Sequence, residues 1–487
     1  MKKRLLSLLI HRLFIAIFVF TIIFIIAAFM PMNCDEGVWH YIGRIWTQYG
    51  IPPYISAVEN KTPGIFELYA ISYKYFGLNL IFVRLLGMIA LVLSALIVYK
   101  IAAKINSKEA AVFAMYVFGL TNTWGMFSGG FISHTETFML LFSTFSIWIL
   151  INALDDKNRA FPVFLAGISM GIAIAFKQIA ITTAFAAVLF CVFYPKNNLI
   201  SRKITSVHLF VAGILTATLI SIFPVLLSGA TFKNYIDGAW LILLNSASNA
   251  SLSAHFADFV NVLILSRIAF LFSFLLLIFW FKFLLKDVFF IGLLLWFAFD
   301  FLGVNASGHY YGHQIKQMMP SFAIIIGILF SELLKKLSSS KSYKLNYQLG
   351  MILFVIFSFL PYGGLEKGAI RFLNRNKIDE DKELGIWLNN NTLQNETVYI
   401  KADFHSDLLA YSERFSASKY INTIFLTTEK ERTELLNDLK KNKPIYIVKC
   451  NFDLIKDSTA VEKVDSFIGS NYVFEERKSE YDIFKRK

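Results

Sequence analysis

Apolar residues recur in long, nearly unbroken runs at about residues 10–30, 78–102, 109–127, 136–153, 160–176 and 179–194, and again at 205–228, 258–283, 287–304, 319–334 and 346–361. A helix rising about 1.5 Å per residue needs roughly 20 such residues to cross a hydrocarbon core about 30 Å thick. The runs predict a polytopic α-helical membrane protein with about eleven spanning helices, and up to thirteen. Several runs are shorter than that length, and the two flanking Lys177 can be divided in more than one way.

Segment 31–77, between the first two runs, carries a different pattern. Val38, Tyr41, Ile42, Ile45, Trp46 and Tyr49 recur at helical spacing opposite His40, Arg44, Thr47 and Gln48, which predicts an amphipathic helix lying in the membrane interface. Gly50, Pro52 and Pro53 stop it, and Thr62 with Pro63 offers the cap and first-turn proline of a second helix ending near Gly77. Two such helices would roof the membrane domain, and segment 231–247 is a candidate third. After Pro361 the chain turns polar, with helical patterns (DKELGIWLNN, TEKERTELLNDLKK) alternating with strand patterns (TVYIKA, KPIYIVKC, YDIFKR). Residues 1–361 are thus expected to form the transmembrane domain, and 362–487 a small α/β domain outside the membrane.

Composition strengthens the membrane reading: 56% hydrophobic residues, 17% charged and a mean hydropathy of +0.56 over 487 residues exclude a soluble globule. The net charge of +13 does not point to nucleic acid, because the basic residues punctuate apolar runs instead of gathering on one soluble surface. MKKR, Lys100 with Lys104 and Lys108, Lys196 with Arg202 and Lys203, Lys282 with Lys286, and Lys335 with Lys336, Lys341 and Lys344 fall on one side if eleven spans alternate. The N-terminus is then cytoplasmic, and segments 31–77, 128–135, 229–257, 305–318 and everything after Pro361 share the opposite face. The first run lacks a small-residue cleavage site and reads as a retained span. Cys34, Cys191 and Cys450 have neither metal nor redox spacing and imply no disulfide framework.

That outer face holds the candidate chemistry. Asp35 and Glu36 open the first loop, Glu59 and Lys61 sit in VENKTPG, His134 and Glu136 in SHTETF, and Lys177 and Gln178 in AFKQIA. GHYYGHQIKQMMP adds His309, Tyr310, Tyr311, His313 and Lys316. Each has a plain alternative: Asp35 as a helix N-cap with Glu36 in its first turn, Lys61 snorkelling, Glu136 as a solvated first-turn charge, the tyrosines as an aromatic belt. Lys177 is harder to set aside, since apolar residues continue on both sides of it and an ammonium so placed faces a cavity or a partner. Several cations beside several carboxylates suit transfer from a lipid-linked phosphosugar. Lys61, Lys177 or Lys316 would hold the departing phosphate, and Asp35 would take the proton of the acceptor hydroxyl. No cofactor is required, although a divalent metal stays open, with Glu59, His309 and His313 as its candidate ligands.

The stretch DEGVWHYIGRIWTQYGIPPYISAVENKTPGIFELYAISYKYFG, followed by VRLLG, resembles the first extracytoplasmic loop and second span of a bacterial family of GT-C membrane glycosyltransferases. That family is similar to protein O-mannosyltransferases and to the aminoarabinose transferases that modify lipid A. An acidic pair opens its loop and a Lys-Pro-Pro-Gly-like motif closes it; SHTETF, AFKQIA and GHYYGHQIKQMMPSFAIIIG resemble later landmarks. The resemblance covers about residues 10–360 and implies a multi-pass enzyme of the bacterial cytoplasmic membrane. Such an enzyme moves a sugar from a polyprenyl-phosphate donor to a lipid, glycan or protein acceptor. Asp35 then matches the catalytic acidic position and Lys61 the lysine near the donor phosphate, a role extended to Arg84 in VRLLG; Glu36 and Glu59 join the catalytic group. Glu136, His134, Gln178, Tyr310, Tyr311 and His313 are the substrate-binding candidates. The chain departs from the aminoarabinose transferases in placing Asn60 before that lysine, Glu59 one position earlier, and Thr62 in place of the first proline. The rival readings are a lipid or solute transporter and a non-catalytic scaffold. A transporter usually sets its binding groups near the midplane between repeated halves, and no repeat is visible here.

Overall fold

The computed structural model describes residues 21–22, 24–123, 133–154, 159–193, 199–243, 288–305, 312–337, 379–402, 405–426, 428–450 and 458–487. The spans expected at 258–283 and 346–361, most of that at 10–30, and His309, Tyr310, Tyr311, Lys282 and Lys286 lie outside the described residues.

Helices follow the apolar runs closely: α1 Cys34–Tyr49, α2 Pro63–Phe76, α3 Ile81–Ile105, α4 Lys108–Thr123, α5 Thr135–Ala153, α6 Ala160–Phe176, α7 Ala180–Phe193 and α8 Ile200–Leu227. A short α9 at Phe232–Ile236 passes into a π-turn at Asp237–Leu241, where a third loop helix was expected. Next come α10 Val288–Asn305, α11 Met319–Leu337, α12 Glu380–Asn390, α13 Ser406–Ser412, α14 Glu429–Asn442 and α15 Ser458–Asn471. Among the described residues, α3, α5, α8 and the stretch His313–Glu332 are long and apolar enough to cross a membrane, while α6, α7 and Phe289–Asn305 are apolar but shorter. The two runs flanking Lys177 are two helices, α6 and α7, because Lys177 takes an extended conformation (φ −155°, ψ 126°) between them.

The chain divides into two compact units, residues 1–30, 84–221 and 249–374 in one, and 31–83, 222–248 and 375–487 in the other. In the first, apolar side chains of α3–α7, α10 and α11 form one continuous core. Small residues let its helices close up: a Cβ on Gly167 of α6 would lie 2.1 Å from the Phe210 carbonyl oxygen, and one on Gly213 of α8 would lie 2.3 Å from that of Phe164. This reciprocal contact is the close backbone approach that packs helices where hydrophobic burial gives no drive.

The second unit unites the first loop with the polar C-terminal segment. Five strands, β1 Thr397–Lys401, β2 Phe415–Ser416, β3 Tyr446–Cys450, β4 Tyr472–Lys478 and β5 Tyr481–Arg486, form a sheet of order β2-β1-β3-β5-β4. β1 runs parallel to β2 and β3, and β5 antiparallel to β3 and β4. Expected strands β1, β3 and β5 and helices α12 and α14 all form; β2, β4, α13 and α15 come in addition. The helix α1 is an integral part of this unit. Tyr41 Oη accepts from Ser416 N at 3.1 Å, Arg44 Nη2 donates to Arg414 O at 2.7 Å, and Val58 N in the same loop donates to Lys419 O at 2.8 Å. Its polar His40 and Arg44 are buried along with its apolar Trp39 and Ile42. Gly37 makes the seat, since a Cβ there would meet Asp407 N at 2.4 Å.

Candidate functional site

In the second unit, α1 begins with a capping box built by Asn33 and Glu36. Asn33 Oδ1 accepts from Asp35 N at 3.0 Å while Asn33 N donates to Glu36 Oε2 at 3.1 Å. The N-cap is therefore Asn33, correcting the expectation of Asp35: Asn33 is the last extended residue (φ −89°, ψ 155°), and Asp35 already lies within the helical turn. Capping does not account for the Asp35 carboxylate, whereas Glu36, fully buried, is a structural member of the cap.

Lys61 and Glu59 form a pair within one loop. Lys61 Nζ lies 3.1 Å from Glu59 Oε1 and donates to Asn60 Oδ1 at 2.6 Å, and Asn60 N donates to Glu59 Oε1 at 2.9 Å. The loop is held by Tyr54, whose hydroxyl donates to Lys61 O at 2.7 Å and whose ring meets Phe66 and Tyr235 edge-on. Tyr54 has φ +68°, left-handed backbone that a bulky side chain adopts only when its surroundings enforce it. Strain is thus stored beside Lys61, in the loop whose motif carries the resemblance. Glu67, on the first turns of α2, carries a partly buried carboxyl that the sequence did not single out. Its Oε1 accepts no hydrogen bond and burial pushes its pKa up to about 7.

The first unit gathers a separate polar cluster inside apolar helices. Lys177, at the break between α6 and α7, pairs with Glu136 in the first turn of α5. Thr135 Oγ1 donates to Glu136 Oε2 at 2.9 Å, His313 Nε2 stands 3.7 Å from Glu136 Oε1, and the His134 and His313 rings stack at 4.5 Å. Lys316, in the 3₁₀ turn Gly312–Met318, points Nζ at Thr137 Oγ1 over 3.5 Å. Glu136, Lys177, Gln178, His134 and Lys316 are all buried. Glu136 is thus no solvated first-turn charge. Because Lys177 already engages its carboxylate, this group is built as an ion-pair network.

Arg84, expected at the donor phosphate, sends Nη1 to the carbonyls of Ala27 at 2.5 Å and Met30 at 2.9 Å, closing the end of the preceding helical segment. Glu59 and His313, the described metal candidates, belong to different units, while His309, Tyr310 and Tyr311 lie outside the described residues. The sequence reading missed Asp300, fully buried on α10, whose Oδ1 accepts from Thr183 Oγ1 at 2.5 Å and Gln317 Nε2 at 3.3 Å. A carboxyl in the middle of FAFDFLG was the available signal, since such a residue inside a membrane helix is expensive to keep. Cys34, Cys191 and Cys450 are free thiols.

Residues 60–227 match the family described as dolichyl-phosphate-mannose-protein mannosyltransferase. The fold matches ArnT from Cupriavidus metallidurans bound to undecaprenyl phosphate with a TM-score of 0.63, 13% identity and 98% of each chain covered. Its apo form gives 0.64, 12% identity, and coverage of 99% of this chain and 98% of that one. The archaeal oligosaccharyltransferase AglB from Archaeoglobus fulgidus, in complex with an inhibitory peptide and a dolichol-phosphate, matches at a TM-score of 0.56 and 11% identity, covering 89% of this chain and 69% of that one. No curated protein matches the sequence.

Proposed function

We propose that this chain, whose residues 60–227 match the mannosyltransferase family and whose fold is that of ArnT and AglB, transfers a sugar from a polyprenyl-phosphate donor to a lipid, glycan or protein acceptor on the extracytoplasmic face of a bacterial cytoplasmic membrane. The acceptor hydroxyl attacks the anomeric carbon, the bond from that carbon to the phosphate oxygen breaks, and polyprenyl phosphate leaves carrying the bonding pair. Asp35 accepts the hydroxyl proton. Phosphate is a good leaving group, so no separate general acid is needed, in contrast to the two carboxyls of glycoside hydrolysis.

The charge that develops on the departing phosphate falls to a lysine, with Lys61, Lys177 or Lys316 as the candidates. The observation that carries this reading is the buried cluster of the first unit, in which two lysines accompany the carboxylate of Glu136 inside apolar helices. Ammonium groups held in place in a low-dielectric setting stabilise a forming phosphate anion far more than they would in water. ArnT with undecaprenyl phosphate and AglB with dolichol-phosphate are the relatives in fold that support the donor class. Lys61 keeps partial access to solvent and is tethered by Glu59.

The test uses purified protein in detergent with a polyprenyl-phosphate sugar and an acceptor extract, where product formation cannot be transport because no compartments exist. Asp35→Asn is expected to lower transfer about 100- to 10,000-fold while the protein still folds. Wild-type-like transfer by that variant removes Asp35 as the base.

A further inference from the structure

The α/β part of the second unit brings four chemistry-bearing side chains from three elements to one place. Asp381 lies in the first turn of α12, His405 and Asp407 at the start of α13, and Tyr481 opens β5. One ligand atom from each of Asp381, His405 and Asp407 lies within 4.8 Å of the other two. His405 Nδ1 is 3.1 Å from Asp381 Oδ2 and 2.6 Å from Tyr481 Oη, and the tyrosine hydroxyl also donates to Asp381.

Asp407 is the member that calls for a ligand. It is 5% exposed, its Oδ1 is buried without accepting a hydrogen bond, and its main charged neighbour is another carboxylate, Asp381. Two carboxylates so placed share either a proton or a cation. A shared proton would join the two carboxyls and leave His405 as a hydrogen-bond partner of Asp381 and Tyr481. A cation satisfies both carboxylates and takes the imidazole nitrogen as a third ligand. The other ring nitrogen, Nε2, faces Glu480 Oε1 across 3.9 Å, a carboxylate near enough to orient the ring once a metal is bound.

We propose that Asp381, His405 and Asp407 form a binding site for one divalent metal ion of the zinc or manganese type, with Glu480 orienting the imidazole. The mixed nitrogen and oxygen set selects against magnesium and calcium, which prefer oxygen alone. The site ties α12, α13 and β5 together, and the backbone of Asp407 is the surface on which Gly37 of α1 rests. The metal would therefore hold the seat of the helix that carries Asp35. Nothing in this assignment depends on the sugar-transfer reading.

Full-length protein in detergent, stripped with EDTA and dialysed, is titrated calorimetrically with Zn²⁺ and Mn²⁺, with Mg²⁺ and Ca²⁺ as controls. One equivalent of Zn²⁺ or Mn²⁺ should bind and raise the thermal midpoint by several degrees. Asp407→Asn, which keeps the side-chain shape, should weaken that binding at least about 100-fold, and Glu480→Gln roughly 10- to 100-fold with the fold intact. Absence of stoichiometric binding to the wild type, or unchanged affinity in Asp407→Asn, overturns the site. A stripped protein that binds neither metal and is stabilised by Asp407→Asn identifies a proton-sharing pair instead and equally overturns it.

Discussion

Two lysine–glutamate pairs, one from each unit, are made in opposite ways. Lys61 and Glu59 are two residues apart in one loop, with side chains 16% and 5% exposed. Lys177 and Glu136 are 41 residues apart, with side chains 9% and 1% exposed. The first pair can form wherever the loop folds; the second exists only once α5, α6 and α7 have packed. Removing two charges from water costs several kcal/mol per ion, recovered only by good geometry and further hydrogen bonds, and Thr135 supplies one of these to Glu136. Glu67 shows a third possibility, a partly buried carboxyl whose pKa desolvation pushes up to about 7.

Breaking the buried pair should have the largest effect. Lys177→Met leaves the Glu136 carboxylate unpaired and is expected to cost about 3 to 5 kcal/mol, with most of that recovered in Lys177→Met with Glu136→Leu. Thermal unfolding of the two variants in detergent checks it, and equal losses would mean that the pair is not coupled. Glu67 comes next. Its folded pKa of about 7 lies above the ordinary 4.5, so its contribution is fully present below pH 4.5 and lost as pH rises through 7. The shift corresponds to about 3 kcal/mol. Glu67→Gln should therefore stabilise the protein at pH 8 and flatten the fall in midpoint between pH 5 and 8; an unchanged slope would assign that fall to other groups. Smallest in stability is the loop pair, where Glu59→Gln should cost at most about 1 kcal/mol. Lys61→Ala should be equally mild for folding yet raise the donor KM more than the acceptor KM, and an unchanged donor dependence would count against its role at the phosphate.

The same contrast explains what could be read without coordinates. The spans among the described residues were legible because a membrane helix is an apolar run, and α6 and α7 were divided at the right residue, since Lys177 interrupts an otherwise continuous stretch. The helix α1 was legible because its pattern is local. Asn33 as the cap was not: Asn33 and Asp35 are equally good capping residues by type, and only the backbone turn decides between them. The Glu136 partner of Lys177 was beyond reach because side chains 41 residues apart meet through packing, which periodicity does not encode. Asp381, His405 and Asp407 were passed over for the same reason, being scattered through a polar segment where charged residues attract no notice.

The hydrogen bonds of Tyr41 and Arg44 to Ser416 and Arg414 reach across 375 and 370 residues. At a synthesis rate of roughly 5 to 20 residues per second, the first loop leaves the ribosome about 20 to 70 s before its partners exist. During that interval Gly37, Tyr41 and Arg44 of α1 lack the partners they meet in the finished fold, so the first loop is among the last segments to reach its final form. A truncation anywhere before Arg414 would therefore undo the setting of a residue near the other end of the chain, and the cell must shelter that loop while it waits.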